Sequence, residues 1–243
     1  MSAAASLRRG TGDPPVDRDA SCQATGSAWK KPTPLAAAFP QHKPDCSDSI
    51  AVARPLPRRY PARMPPWLDA FRLATESVKP LVMALATVDE LGSPSARHVI
   101  CRLIDDVGSL VFTSDARSQK HAHLMRDPRA EAVCWLPPTR EQFRFVGEVE
   151  LIGPRRNEAL RARIWSEITA ETKATFFWAA PGQLKIDADE LFPRVSEERL
   201  PPDNFELICL RPSAVEHLEL ATHPHRRTRW RGETNWSPES LNP

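Results

Sequence analysis

Two arginines, a lysine and a run of hydroxyls are the residues of this 243-residue chain best suited to chemistry. Arg97 and Arg102 sit five apart in a strand-like run, Ala96–Ile104. The next strand-like run ends in Thr113-Ser114, and Ser118-Gln119-Lys120 then stands where a helix would start. Backbone N–H groups at a helix start, with Ser118 and Lys120 beside them, make a ready anion site. An arginine inside a strand is costly unless it meets something anionic, and its planar fork suits a phosphate. Each residue taken alone reads as a surface group in a scattered salt bridge. Gathered on adjacent elements, they point to a phosphate dianion. Strand alternation sends Arg97 and Arg102 to opposite faces. Both serve one ligand only if the strand bends or the barrel is a dimer.

Other chemistry-bearing residues read more simply. His121/His123 and His223/His225 are two H-x-H pairs, but the first lies in an expected helix, where i,i+2 residues do not face each other. No cysteine or carboxylate spacing completes a metal site, so no metal is expected. Asp105-Asp106 followed by Gly108 reads as a turn rather than a catalytic carboxylate pair. Phe176-Phe177-Trp178 could cover a ligand but reads first as core or interface packing. No residue stands out as a general base. Of the five cysteines, Cys101, Cys134 and Cys209 fall in apolar runs and Cys22 and Cys46 do not. Odd in number and without CxxC spacing, they read as buried reduced thiols of a cytoplasmic protein.

The positioning elements follow from pattern. Trp67, Phe71, Ala74 and Val78 share one face of a helix, Trp67–Val78, between Pro66 and Pro80. Strands are expected at Leu81–Val88, Ala96–Ile104, Ser109–Ser114, Ala130–Leu136, Gln142–Leu151, Phe205–Arg211 and Val215–Leu220. Short ones are expected near Thr228–Arg231 and Asn235-Trp236. Helices are expected at Ser118–Arg126, from Pro154 to Ile168, and at Thr172–Ala179; Pro181–Asp203 reads as loop. Asp89-Glu90-Leu91-Gly92 is a hairpin turn, because glycine tolerates the backbone angles required. Many strands and few helices predict a mainly β, antiparallel closed barrel with helices outside. There is no βαβ alternation and no Gly-rich phosphate loop, which excludes Rossmann and P-loop folds.

Composition narrows the function classes. Residues 1–63 hold ten Lys/Arg against five Asp, a charge of +5, so the rest carries −3 of the overall +2. The body therefore lacks the basic face of a nucleic-acid binder. No apolar run is long enough to cross a bilayer as a helix. Residues 1–63, rich in Pro, Ala and Ser, read as a disordered extension to a domain spanning 64–243. Their Ser/Ala/Arg-rich start has a faint organelle-targeting flavour, contradicted by Asp13, Asp17 and Asp19. Met64 is an alternative start.

The segments MALATVDELGSPSARHVICR, LVFTSDARSQKHAHLMRDPRAEAVCWL and REQFRFVGEVELI, with RRTRWR, Trp236 and the ending LNP, resemble the pyridoxamine 5′-phosphate oxidase-like flavoproteins, the FMN-binding split-barrel family. The similarity spans Trp67–Pro243. It implies a homodimer with one FMN at each of two subunit interfaces. By position it assigns Arg97, Arg102, Thr113, Ser114, Gln119 and Lys120 to the cofactor, with Gln119 standing where arginine is usual. Gln142, Gln183 and Arg229 match residues beside the flavin ring. The departures matter as much. A flavin-contacting tryptophan appears as Leu218. The tyrosine, arginine and serine that bind the substrate phosphate align with Trp165, Thr169 and Lys173. The Arg-x-His substrate pair appears as His225-Arg226-Arg227, leaving Arg226 and Arg227 as substrate-binding candidates. The implied activity is hydride transfer from a pyridoxamine- or pyridoxine-phosphate-like substrate to FMN. The rivals are a flavin carrier, sensor or reductase without vitamin B6 oxidase activity, and a relative holding haem or a deazaflavin.

Overall fold

The computed structural model describes residues 64–185 and 187–243. The expected disordered extension, its alternative start and Cys22 and Cys46 lie outside the described residues, apart from Met64 itself. Twelve elements build the domain: α1 (Pro66–Thr75), β1 (Leu81–Val88), β2 (Pro94–Ile104), β3 (Leu110–Asp115), α2 (Gln119–Arg126), β4 (Arg129–Leu136), β5 (Glu141–Ile152), α3 (Glu158–Glu167), α4 (Ala170–Ala174), β6 (Phe205–Glu219), β7 (Arg226–Arg231) and β8 (Glu239–Leu241). The strands pair antiparallel in the order β3-β2-β1-β4-β5-β6-β7-β8, and β3 also pairs with β6. That last pairing closes β1–β6 into a six-stranded barrel, the mainly β architecture expected from the pattern.

Each joint has a local cause. At the β1–β2 hairpin, Asp89 Oδ1 accepts from the backbone N–H groups of Leu91 and Ser93, and Gly92 takes φ +81°. β6 runs for fifteen residues because its two halves have different neighbours. Phe205–Leu210 pairs with β3 and Ala214–Glu219 pairs with β7, while β5 spans both. The sequence reading splits this strand at Pro212, which has no N–H to donate. The structure tolerates it because a bulge in the β5–β6 ladder falls there, between Val146 and Gly147.

Three further expectations are corrected. The helix after Pro154 starts only at Glu158: Arg155 and Asn157 take φ +64° and +46°, and Asn157 caps the helix by accepting from Leu160 N. Asn235-Trp236 is a turn, with φ +52° and +60°, and the last strand comes later, at Glu239–Leu241. The segment expected as one helix, Thr172–Ala179, is instead α4 followed by a tighter turn over Thr175–Phe177.

The core has two parts. Inside the barrel, α1 inserts Trp67 and Phe71, whose rings meet Phe143, Phe145 and Trp236 at centroid distances of 4.8–6.2 Å. Burying such a ring contributes roughly 2–3 kcal/mol. The second cluster lies on the other face of β3 and β6, where α3 and the following turn cover Val111, Phe205, Leu207 and Cys209 with Trp165 and Phe176. Cys101, Cys134 and Cys209 are buried free thiols, as expected. Burial pushes them up to about 12, 11 and 11, so they are inert as nucleophiles near neutrality.

Gly147 marks where the barrel tolerates no side chain. A Cβ there would overlap the Arg211 carbonyl oxygen and crowd Pro212 Cα, both backbone atoms of the neighbouring strand. Gly147→Ala should therefore destabilise the domain by about 3 kcal/mol, the upper end for overpacking. Urea unfolding would register this as a lower midpoint.

Candidate functional site

The site begins at the rim of β1 and β2. Their odd-numbered residues point inward: Met83, Leu85 and Thr87 on β1 are buried, as are Val99 and Cys101 on β2. Arg97 shares that face. Its Nη1 donates to Leu85 O at 3.2 Å and Thr87 Oγ1 at 2.7 Å, and its Nη2 donates to Ser95 Oγ at 2.8 Å. Thr87 Oγ1 also lies 3.1 Å from His123 Nδ1 on α2. The guanidinium is thus aimed by hydroxyls and a carbonyl, and burial holds it below its usual range.

Arg102 occupies a bulge. The β2–β3 register shifts between Cys101 and Leu103, so Arg102 is the extra residue that breaks strict alternation. The sequence reading required either a bent strand or a dimer for both arginines to serve one ligand. Arg102 Nε is buried without a hydrogen-bond partner among the described residues, and burial depresses the guanidinium.

Lys120 opens α2 beside the end of β3. Its Nζ donates to Ser118 Oγ at 3.0 Å, and Ser118 Oγ donates to Asp115 O at 2.6 Å. Burial, and then the nearby charge of Arg97, push the ammonium below its usual range; Asp115 and Glu206 pull it back. Among the described residues no carboxylate lies within salt-bridge distance of Arg97, Arg102 or Lys120. Arg144, Arg226, Arg227, Arg229 and Arg231 are all so paired.

Lys120, Thr113 and Ser114 line a cavity of about 510 Å³. Its far wall comes from the chain after α4: Phe176, Trp178 and Gln183. Arg117 fastens that wall. It grips both Asp115 oxygens through Nε and Nη2, while Nη1 and Nη2 donate to the carbonyls of Trp178 and Phe176. Asn204 Nδ2 adds bonds to Asp115 Oδ2 and Phe176 O. Burial alone would raise the Asp115 carboxyl, but the Arg117 and Asn204 bonds outweigh it and hold it low.

Four of the nine expected cofactor residues, Thr113, Ser114, Lys120 and Gln183, therefore meet at one cavity. Arg97 acts electrostatically on Lys120, and Gln119 is exposed next to it. Gln142 and Arg229 are not brought there. Gln142 lies on β5, separated from β2 by β1 and β4, and Arg229 lies on β7 bound to Glu239 at 2.7 Å. The substrate candidates Arg226 and Arg227 share that second region, paired with Glu219 and Glu216.

Sequence reasoning missed Asp115, Arg117 and Asn204; the Asn204 contact to Asp115 spans 89 positions, beyond any local spacing. It read Trp178 first as packing and second as a ligand cover, and the residue lines the cavity. The signal available was the D-x-R spacing at a strand end, which allows the Asp115 carboxylate to turn back onto Arg117. Trp165 is fully buried, its Nε1 donates to Glu198 O at 2.9 Å, and Lys173 Nζ lies 5.5 Å from its ring centroid. Thr169 caps α4.

Comparison with known proteins identifies relatives of this chain. Residues 64–153 match the model of the pyridoxamine 5′-phosphate oxidase FMN-binding domain. A pyridoxine/pyridoxamine 5′-phosphate oxidase of Bordetella pertussis is 30% identical over 196 residues, covering 73% of this chain and 86% of the relative. The crystal structure of a pyridoxamine 5′-phosphate oxidase-related, FMN-binding protein from Nostoc punctiforme superposes with a TM-score of 0.68 at 32% identity. It covers 73% of this chain and 98% of that one. PhzG from Burkholderia lata, solved with tetrahydrophenazine-1-carboxylic acid, shares the fold at TM-score 0.61 and 23% identity, over 73% of this chain and 89% of that one.

Arg117→Ala should release the cavity wall. Charge-assisted bonds contribute up to about 3 kcal/mol, and partial exposure of this pair reduces the expected loss to about 1–2 kcal/mol. Because the folded Asp115 pKa is depressed, its stabilisation is present above the unfolded carboxylate pKa and is lost as pH falls through the folded one. The variant should lose part of that acid-side dependence, read by urea unfolding at several pH values. Limited proteolysis should cut faster between 176 and 185.

Proposed function

The chain belongs to the pyridoxamine 5′-phosphate oxidase-like, FMN-binding split-barrel family, and from this we propose that it is an FMN-dependent oxidoreductase acting as a homodimer. One observation carries the cofactor assignment. Arg97 and Lys120 are held near each other with no carboxylate in contact among the described residues, beside a cavity lined by Thr113 and Ser114. Two neighbouring cations in salt-bridge contact with no described carboxylate fit a phosphate dianion, and the buried Arg102 Nε offers a further donor. Thr113, Ser114 and Gln119 would complete the phosphate contacts. FMN, when bound, supplies a two-electron acceptor.

The remaining cofactor residues motivate the dimer. Gln142 and Arg229 belong to a second group, on β5 and β7, that one chain keeps away from the cavity. In a two-fold dimer one subunit's phosphate cradle would meet the other's ring-facing pair. Val82, Trp135 and Val146 project from the outer face of β1, β4 and β5 with 43–45% exposure, which suits a covered surface. Arg229, neutralised by Glu239, would present an oriented donor rather than a free charge. Gln183 would close over the cofactor from the wall that Arg117 fixes.

The electron donor is a separate question. Where the family resemblance places the substrate-phosphate residues, this chain has a tryptophan sealed in the core, a helix cap and a lysine folded over that tryptophan. Arg226 and Arg227 are already matched to carboxylates. These features favour an FMN oxidoreductase whose donor is not gripped through a phosphate at the α3–α4 corner. Purified protein should be yellow and should form pyridoxal phosphate slowly or not at all from pyridoxamine or pyridoxine phosphate under oxygen. Turnover at rates ordinary for an enzyme, above about 1 s⁻¹, would restore the vitamin B6 assignment.

The cradle itself is tested by Arg97→Ala combined with Lys120→Ala. Each lost contact costs about 1.5–3 kcal/mol, so FMN affinity should drop at least about 100-fold. Absorbance of the purified double variant should show no flavin; stoichiometric flavin in a folded double variant would sink the cradle.

A further inference from the structure

Next to the cation pair lies a group that phosphate binding leaves unused. Glu206 is 3% exposed and stands opposite Ser114 in the β3–β6 register, and Ser114 lines the cavity. Both Glu206 oxygens lie against His121 Nδ1, at 2.9 and 3.0 Å. His121 follows Lys120 directly, and its side chain is 30% exposed, so solvent protons reach it. Burial pushes the Glu206 carboxyl up, against the pull of His121 and Lys120. Carboxylate and imidazole thus compete for one proton. Without it the pair carries −1; with it the pair is neutral, whichever atom holds it.

We propose that the His121–Glu206 pair sets the cavity's affinity for a phosphate monoester by gaining or losing one proton. The inference rests on the phosphate cradle proposed above. With the proton absent, the buried negative charge offsets Lys120 and repels the incoming dianion. With the proton present, Lys120 and Arg97 face the phosphate without that offset. Affinity for the phosphate therefore rises as pH falls through the titration of the pair.

The other charged groups around the pair form a fixed background. Asp115 on β3 is locked to Arg117 and Asn204, and Arg97 on β2 is aimed by Thr87 and Ser95. Arg161 on α3 donates to the carbonyls of Phe205 and Pro202. His123 on α2 faces Thr87 of β1, not the pair. A phosphate monoester loses its second proton near pH 6, so the effect is read above that value.

The test uses the full chain freed of flavin. It is titrated with FMN, and with riboflavin as the phosphate-free comparator, by flavin fluorescence from about pH 6.5 to about pH 8.5. FMN affinity should fall roughly three- to tenfold across that window while riboflavin affinity stays level. Glu206→Gln should hold the tight value throughout, and His121→Gln the weak one. Should Glu206→Gln fail to fold, the flat, weak profile of His121→Gln decides alone. Equal slopes in wild type and variants, or the same slope with riboflavin, would overturn this inference and leave the cradle intact. Wild-type protein that binds no FMN at any pH overturns both.

Discussion

Like charges held together in half-buried ground are the constraint on which this structure turns. Arg97 and Lys120 repel each other, and burial adds to the cost by stripping water from both. Most proteins place a carboxylate between such groups. This chain surrounds Arg97 with two hydroxyls and a carbonyl instead, and gives Lys120 a serine. Hydroxyls stabilise a cation by their dipoles without neutralising it, so attraction for an outside anion is preserved.

That arrangement requires a stiff frame, since two repelling side chains would otherwise swing apart into water. The closed barrel supplies it. Trp67 and Phe71 fill one part of its interior, and Gly147 allows β5 and β6 to approach where no Cβ fits. The bulge at Arg102 is a local exception to regular pairing, and it coincides with an arginine whose buried Nε has no hydrogen-bond partner among the described residues. Just after β3, Arg117 spends its charge on Asp115 and two carbonyls, which fixes the cavity wall; of the two lysines lining the cavity, Lys185 is paired with Asp187, and Lys120 touches no carboxylate among the described residues.

The far part of the sheet follows the opposite rule. Glu131, Arg144, Glu216 and Arg227 alternate across β4 to β7, and Glu239 takes both Arg229 and Arg231. These partly exposed pairs add little stability each, but as a network they keep the charges oriented and matched. One chain thus contains a matched half and an unmatched half. Two copies that brought the halves together would place an anion between them with a cradle on one side and ordered donors on the other.

Much of this could be read from residue order. The strand and helix pattern, the Asp89–Gly92 hairpin and the buried thiols follow from local periodicity and turn chemistry, which act over a few residues. So did the grouping of Arg97, Thr113, Ser114 and Lys120, because they fall on consecutive elements joined by short turns. Tertiary structure decided the rest. Whether a given arginine meets a carboxylate depends on strand register, as Arg227 and Glu216 show from eleven residues apart. The α3 start and the final turn depended on left-handed residues at Asn157 and Asn235, which composition does not announce. His121 and Glu206 are separated by 85 positions. Only closure of the barrel through β3 and β6 brings them into contact, because that pairing joins segments no local rule connects.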